Sequence, residues 1–212
     1  IRRIDILVAT HAHQDHTGGL PALLENFHPR QLWVGPNPSD QLLSRAAELK
    51  IPVISQRASP AFDYAGARIE VLSPPADYLA KPGNNDSLAL RIVYGENSFL
   101  LTGDMESPME RRLLADGRLA HADVLKVGHH GSKTSTSPAF IEAVSPSVAI
   151  ISAGFENSFG HPHRDILARL AERHAAILRT DHDGLVTVRS DGHKLWLDSM
   201  LWHPGKPADI FN

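Results

Sequence analysis

Cysteine is absent from the 212 residues, which excludes disulfide scaffolds, thiolate zinc sites, iron–sulfur clusters and cysteine nucleophiles together. The absence does not select a compartment, because a chain without thiols tolerates oxidising and reducing surroundings alike. Long apolar runs are missing too. None approaches the roughly 18 residues that mark a membrane span, and the Ile1-Arg2-Arg3 start leads into a strand-like stretch with no small-residue cleavage pattern of a signal peptide. Nor does one charge dominate, since 21 basic and 24 acidic side chains leave a formal charge of −3. Such a chain has no strong global attraction for a polyanion, so nucleic-acid binding has to come from a local patch or from bound metal. What is present is ordinary globular composition, 42% hydrophobic and 21% charged with 15 Gly and 15 Pro, the profile of a folded soluble domain and not of disorder. At roughly 150 residues per domain one domain is expected, burying roughly 70% of the surface its unfolded form exposes.

Histidine is abundant, 13 residues, and seven of them fall in three short clusters: His11, His13 and His16; His129 and His130; His161 and His163. Clusters this tight suggest metal. The other six, His28, His121, His174, His182, His193 and His203, stand singly in polar surroundings and read as surface residues. Around the clusters short apolar strands alternate with helices, with no repeat, low-complexity segment or long linker. Strands are expected at 4–9, 31–34, 51–55, 68–72, 87–94, 98–102, 123–127, 148–152, 176–179, 185–188 and 194–197, those at 68–72, 87–94 and 98–102 antiparallel. Helices are expected from Leu20 with Pro21 in the first turn, and at 39–50, 108–116, 138–144 with Ser137 as N-cap, and 164–174. This is a mixed-sheet α/β domain with two layers of sheet, and every histidine cluster sits in a loop at a strand end.

The sharpest motif is Thr10-His11-Ala12-His13-Gln14-Asp15-His16, HxHxDH directly after a strand. In an extended segment alternate residues share a side, so His11 and His13 can grip one ion while Asp15 and His16, at the following turn, reach a second. Leu100-Leu101-Thr102-Gly103-Asp104 delivers one carboxylate at a strand end, and its two oxygens can bridge cations about 3.5–4 Å apart. Asp104 is therefore the expected bridging ligand. In Gly128-His129-His130-Gly131-Ser132 one histidine binds metal and the other faces substrate or orients a ligand, with His130 favoured as the ligand. Ser132, Ser135 and Ser137 with Lys126 and Lys133 offer hydroxyl and ammonium donors to phosphate oxygens, although Ser-rich stretches before Pro138 are ordinary loops and caps. The glycine-bounded loop 154–163 carries Asn157, His161 and His163, which can supply a leaving-group acid or phosphate donors, or simply cap the helix near Arg164.

In order and spacing, HAHQDH, LLTGD, LKVGHHGS and the late NSFGHPH with RTDHDG resemble the metallo-β-lactamase-like domain in the C-terminal part of the ComEC competence proteins, DNA-uptake channels of natural transformation. The resemblance implies an αββα sandwich with a metal centre at the sheet edges. It also implies a nuclease-like activity degrading the non-transforming strand of incoming DNA, within a bacterial cell-membrane protein whose remaining channel is the domain's partner. Two departures stand out. Only a few residues of one strand precede Thr10, so 1–212 reads as a domain lacking the first strands, its first sheet edge exposed, with 198–212 as a tail. A further metal-binding His between the first motif and Asp104 is missing too. That leaves the first ion to His11, His13 and Asp104, completed by Asn85, Asp86 or water, and the second to Asp15, His16, Asp104 and His130. With no sulfur and few nitrogens, the two divalent ions are manganese or zinc.

The reaction expected is metal-assisted hydrolysis of a phosphodiester in DNA. Asp104 holds the ions together, His129 or His163 stabilises developing charge or protonates the leaving oxygen, and Ser132, Lys133, Asn157 and His161 position phosphates. Two rival readings are a phosphorylcholine-esterase-like metallohydrolase, with Trp196 and Trp202 as cage faces, and a metal-dependent DNA-binding module of the uptake channel that does not cut.

Overall fold

In the computed structural model, which describes residues 2–200, the apolar run before the first histidine cluster forms β1 (Ile6–Ala9). A single helical turn, α1 (Gln14–Thr17), follows, then α2 (Leu20–Phe27), β2 (Gln31–Val34), α3 (Asp40–Glu48) and β3 (Val53–Ser55). The three strands pair in parallel in the order β1-β2-β3. Ser39 caps α3, its hydroxyl accepting from Leu42 N–H. Alternation sorts the strand side chains: Leu7, Ala9, Leu32 and Val34 pack against Leu24, Leu42 and Ala46 of the helices. Ile6, Val8 and Trp33 project the other way, onto Val71 and Leu90 of the second sheet and Leu88 just before β6.

That second sheet begins with β4 (Phe62–Tyr64), β5 (Ala67–Ser73), β6 (Ala89–Tyr94) and β7 (Asn97–Leu101), an antiparallel meander. It continues in parallel through β8 (Val124–Lys126), β9 (Val148–Ile151) and β10 (Ala176–Arg179). The crossovers are α4 (Ser107–Ala115), α5 (Pro138–Val144) and α6 (Arg164–Glu172). Leu100, Leu125, Ala149 and Ile151 meet Leu113, Phe140, Ile166 and Leu170 of those helices in the larger core. A last turn, α7 (Thr180–Asp183), leads to the hairpin β11 (Val186–Ser190) and β12 (Leu195–Ser199). Its Val188, Leu195 and Leu197 cover Phe99, Val124, Val148 and Ile150 on the opposite face of the large sheet. Helix, sheet, sheet, helix is thus the layer order, the αββα sandwich, with the hairpin as a flap beside the smaller sheet.

The elements depart from expectation where they are short. Gln14–Thr17 is a helical turn within what reads as loop, and Thr180–Asp183 is another that the apolar pattern does not announce. β4 has three residues and turns through Ala65-Gly66, both at positive φ (50° and 83°), the backbone of a tight hairpin without its usual Asn-Gly signature. The strand expected at 51–55 starts at Val53. Of the supposed tail, Asp198 and Ser199 close β12, while 201–212, with Trp202 and His203, lie outside the described residues. Among the described residues β1 pairs on one side only, with β2.

Candidate metal centre

The loops that leave the C-terminal ends of β1, β7, β8 and β9 carry the titratable clusters, the position where parallel strands commonly present ligand-binding groups. After β1 the chain bends at His11 and Ala12, and His13, extended (φ −63°, ψ 146°), opens α1. Thr17 closes that turn by donating its hydroxyl to His13 O at 3.0 Å. After β7, Gly103 has φ 54°, and a Cβ there would stand 2.9 Å from Ser87 Oγ, so only glycine allows the close approach. After β8, His129 and His130 are both in the left-handed region (φ 47° and 53°). Two such residues in succession cost about 1–3 kcal/mol each and persist only where surrounding contacts impose them. Those contacts include Ser135 Oγ, which donates to Gly128 O at 2.8 Å, and His129 N–H, which donates to Gly103 O at 3.2 Å.

Five side chains meet around Asp104. One set is His11, His13 and Asp104; the other is Asp15, His16, Asp104 and His130, and within each the ligand atoms lie within 4.8 Å of one another. Asp104 faces both: Oδ2 is 3.6 Å from His11 Nε2, whereas Oδ1 is 3.1 Å from His16 Nε2 and 3.5 Å from His130 Nε2. His16 Nε2 and His130 Nε2 are 3.1 Å apart, and His130 Nε2 is 3.1 Å from Asp15 Oδ2. His11 Nε2 and Asp104 Oδ1 are buried with no hydrogen-bond partner, an arrangement that costs free energy unless something else occupies the shared focus. Nitrogen and carboxylate donors, His11 and Asp104 buried and the others partly or fully open to solvent, converge without sulfur and fit a pair of divalent cations that these residues would hold.

Neighbours set the ring orientations. His130 Nδ1 donates to Ser152 O at 2.7 Å, which leaves the Nε2 lone pair for the focus. His11 Nδ1 lies 3.3 Å from Ser87 Oγ and 3.2 Å from Thr10 Oγ1, and Ser87 Oγ also accepts Asp104 N–H at 2.9 Å. Burial, then the nearby His16, pushes the His11 pKa down to about 4, so the ring is neutral and able to ligate at pH 7. Burial alone would raise Asp104, but the His16 ring beside it and the charges of His16, His130 and His11 outweigh it and hold the carboxyl at about 2.

The other expected site residues divide. His129 points away from the two ligand sets: its Nδ1 is 3.2 Å from Glu106 Oε1 and from Thr134 Oγ1, and its ring stands edge-on to His161 at 5.7 Å. His161 Nδ1 is buried without a partner, and burial followed by His129 and His130 lowers its pKa. His163 is the N-cap of α6, accepting from Asp165 N–H. Asn157 spends its amide on its own loop, donating to Gly154 O and His161 O and accepting from His161 N–H. Ser132 is buried, with Oγ 3.0 Å from Thr134 Oγ1, and Ser137 caps α5. Lys133 is exposed on the same loop, while Lys126 turns its ammonium onto Val127 O at 2.8 Å. Asn85 Oδ1 accepts Glu106 N–H and Asp86 Oδ2 accepts from Asn37, while Asp86 is not among the acidic residues that converge with His11 and His13. Trp196 is 40% exposed on β12, opposite Arg189.

Sequence reasoning passes over Glu106, Asn84 and Thr134, which enclose His129, and over Glu110, whose buried carboxylate accepts Thr136 N–H and Ser137 N–H. Glu106 follows Asp104 by two residues, but nothing in the local pattern distinguishes it from a first-turn acid of α4. Only folding brings it to a histidine.

Residues 1–154 match the Metallo-beta-lactamase superfamily. ComE operon protein 3 of Bacillus subtilis is 37% identical over 194 residues, covering 89% of this chain and 25% of that protein. Competence protein ComA of Neisseria gonorrhoeae is 32% identical over 185 residues, covering 87% of this chain and 25% of that protein. The chain spans about a quarter of the length of these curated relatives. Among solved structures CmlA, a diiron β-hydroxylase from Streptomyces venezuelae, superposes with TM-score 0.59 at 17% identity over 84% of this chain and 44% of that one. No helix among the described residues is long and apolar enough to cross a membrane. The chain belongs to the metallo-β-lactamase superfamily, and the branch it resembles is that of the ComEC-type competence proteins.

Proposed function

We propose that this domain is a metal-dependent phosphodiester hydrolase that cuts DNA, the nuclease of a DNA-uptake channel that degrades the strand not taken into the cell. The observation that carries the reading is Asp104, one buried carboxylate facing two converging ligand sets. The hydroxyls nearest the centre hold the ligand rings and the backbone in place: Thr10 Oγ1 lies 3.2 Å from His11 Nδ1 and 3.3 Å from His16 Nδ1, and Ser87 Oγ accepts Asp104 N–H. Bound divalent cations supply Lewis acidity toward phosphate oxygens and lower the pKa of a water to about 7. His11, His13, Asp15, His16, Asp104 and His130 would hold them, manganese or zinc.

The chain's own groups do the rest. His129, held between Glu106 and Asn84, passes a proton to the leaving oxygen. His161 donates to a phosphate oxygen, and Lys133, exposed and without a short contact among the described residues, meets the next phosphate. Asn157 and Ser132 act by fixing the loops that carry these groups, and His163 by capping α6. The competence relatives support DNA as the substrate, with the remainder of the membrane channel as the physical partner.

The test is to strip the purified domain with chelator, restore Mn²⁺ or Zn²⁺ separately, and assay linear and circular DNA beside a phosphorylcholine ester. Metal-dependent DNA loss is expected, and sparing of circles would show attack from ends. Ester cleavage with intact DNA would replace the nuclease by an esterase, and metal-dependent binding without turnover would replace it by a DNA-gripping module.

A further inference from the structure

Phe155 and Phe159 stand 77% and 80% exposed on the loop after β9. Two exposed phenyl rings on one five-residue stretch beside a polar centre are not surface scatter. The loop that carries them is held. Asn157 ties Gly154 to His161 through three hydrogen bonds, Thr180 pins Ala153 with one bond to its N–H and one to its carbonyl, and His163 N–H donates to Gly131 O. Phe159 is therefore presented by a braced segment. Its ring is stacked on His161 (centroids 5.9 Å, interplanar angle 23°), His161 stands edge-on to His129 at 5.7 Å, and His129 is the neighbour of His130. A row of rings thus leads from the metal ligands to an open aromatic face.

Resting on the nuclease reading, we infer that Phe159 is a stacking platform for an unpaired nucleobase next to the phosphate at the metal centre, so the site takes single-stranded or frayed DNA over intact duplex. Charge supports this. With a formal charge of −3 the chain lacks the coulombic grip that serves most nucleic-acid enzymes, and base–aromatic stacking is the sequence-tolerant substitute. A base inside a duplex has both faces covered by its neighbours. Only an unpaired one can offer a face to Phe159.

The experiment uses the metal-loaded protein with three strands of equal length: single-stranded, blunt duplex, and single-stranded with abasic sites. Wild type should favour the single strand at least tenfold over duplex. Phe159→Ser should raise KM for the single strand about 5- to 150-fold, the range that losing one stacked base produces, with kcat little changed. Phe159→Trp should restore it, and on the abasic strand wild type and Phe159→Ser should coincide. Equal cleavage of all three strands, with Phe159→Ser unaltered, overturns the inference while leaving the nuclease reading intact. A 2-aminopurine strand separates the opposite case: quenching by wild type but not by Phe159→Ser, without any cleavage, sustains the stacking role and sinks the nuclease. The ring is solvent-facing, so an unchanged melting temperature checks that Phe159→Ser folds.

Discussion

Asp104 is 1% exposed and ionised because three histidines surround it. Asp104→Asn keeps the volume but removes the charge and one shared oxygen, so the substitution should lower metal content and reduce hydrolysis by at least 100-fold with the fold retained. Metal analysis beside circular dichroism checks both parts. The two adjacent histidines should behave differently. His130→Ala should lose bound metal, whereas His129→Ala should keep it and lose turnover. His11 supplies a pH signature in the metal-free protein. Its folded pKa, about 4, lies below the ordinary 6.5, so between those values the unfolded chain binds the extra proton and stability rises with pH. Acidification from 6.5 towards 4 should thus remove about 3 kcal/mol through this buried group. Denaturant unfolding in chelator at pH 7 and 4.5 measures the loss, and a His11→Gln chain with the same slope would assign it elsewhere.

At the level of elements, the chemistry depends on how β8 hands over to α5. The segment 128–137 carries both histidines through left-handed backbone, and it is anchored from below by Glu110 of α4, which is 1% exposed. Glu110 accepts Thr136 N–H and Ser137 N–H, while Arg169 of α6 donates to Thr136 O. Glu110→Ala strands two donors and should destabilise the domain by about 3 kcal/mol, unsatisfied buried groups costing about 1–3 kcal/mol each. Urea unfolding reads that directly, and turnover should fall as well because the same loop presents His129. Elements of this kind explain what a sequence pattern can and cannot show. Ser137 reads as a cap because a cap is a local motif. Glu110 reads as one more acid on an amphipathic helix, since its partners lie 26 and 27 residues away.

Across the whole molecule, the ligands straddle the sandwich: His11, His13, Asp15 and His16 follow β1 of the small sheet, and Asp104 and His130 follow β7 and β8 of the large one. Bound metal would therefore cross-link the two sheets. Ligand that binds only the folded state stabilises it by about 2.7 kcal/mol at 100 times its dissociation constant. Chelation should lower the thermal midpoint, and titrating Mn²⁺ or Zn²⁺ should restore it in wild type but not in Asp104→Asn. A midpoint indifferent to metal would mean that the two ligand sets do not close on ions joining the sheets.

The chain's order carries the local part of this architecture. Alternating apolar residues assign strand faces, Ser39 and Ser137 mark helix starts, and the HxHxDH spacing sets four ligands in six residues, all by interactions between near neighbours. Packing decides the remainder. His16 meets His130 across 114 residues, a carbonyl of Ser152 selects which nitrogen of His130 is free, and Glu106 finds His129. Side-chain period is a property of one strand or helix, whereas which strand ends share a rim depends on how two sheets stack. Only the folded sandwich, burying both faces of each sheet at once, settles that choice.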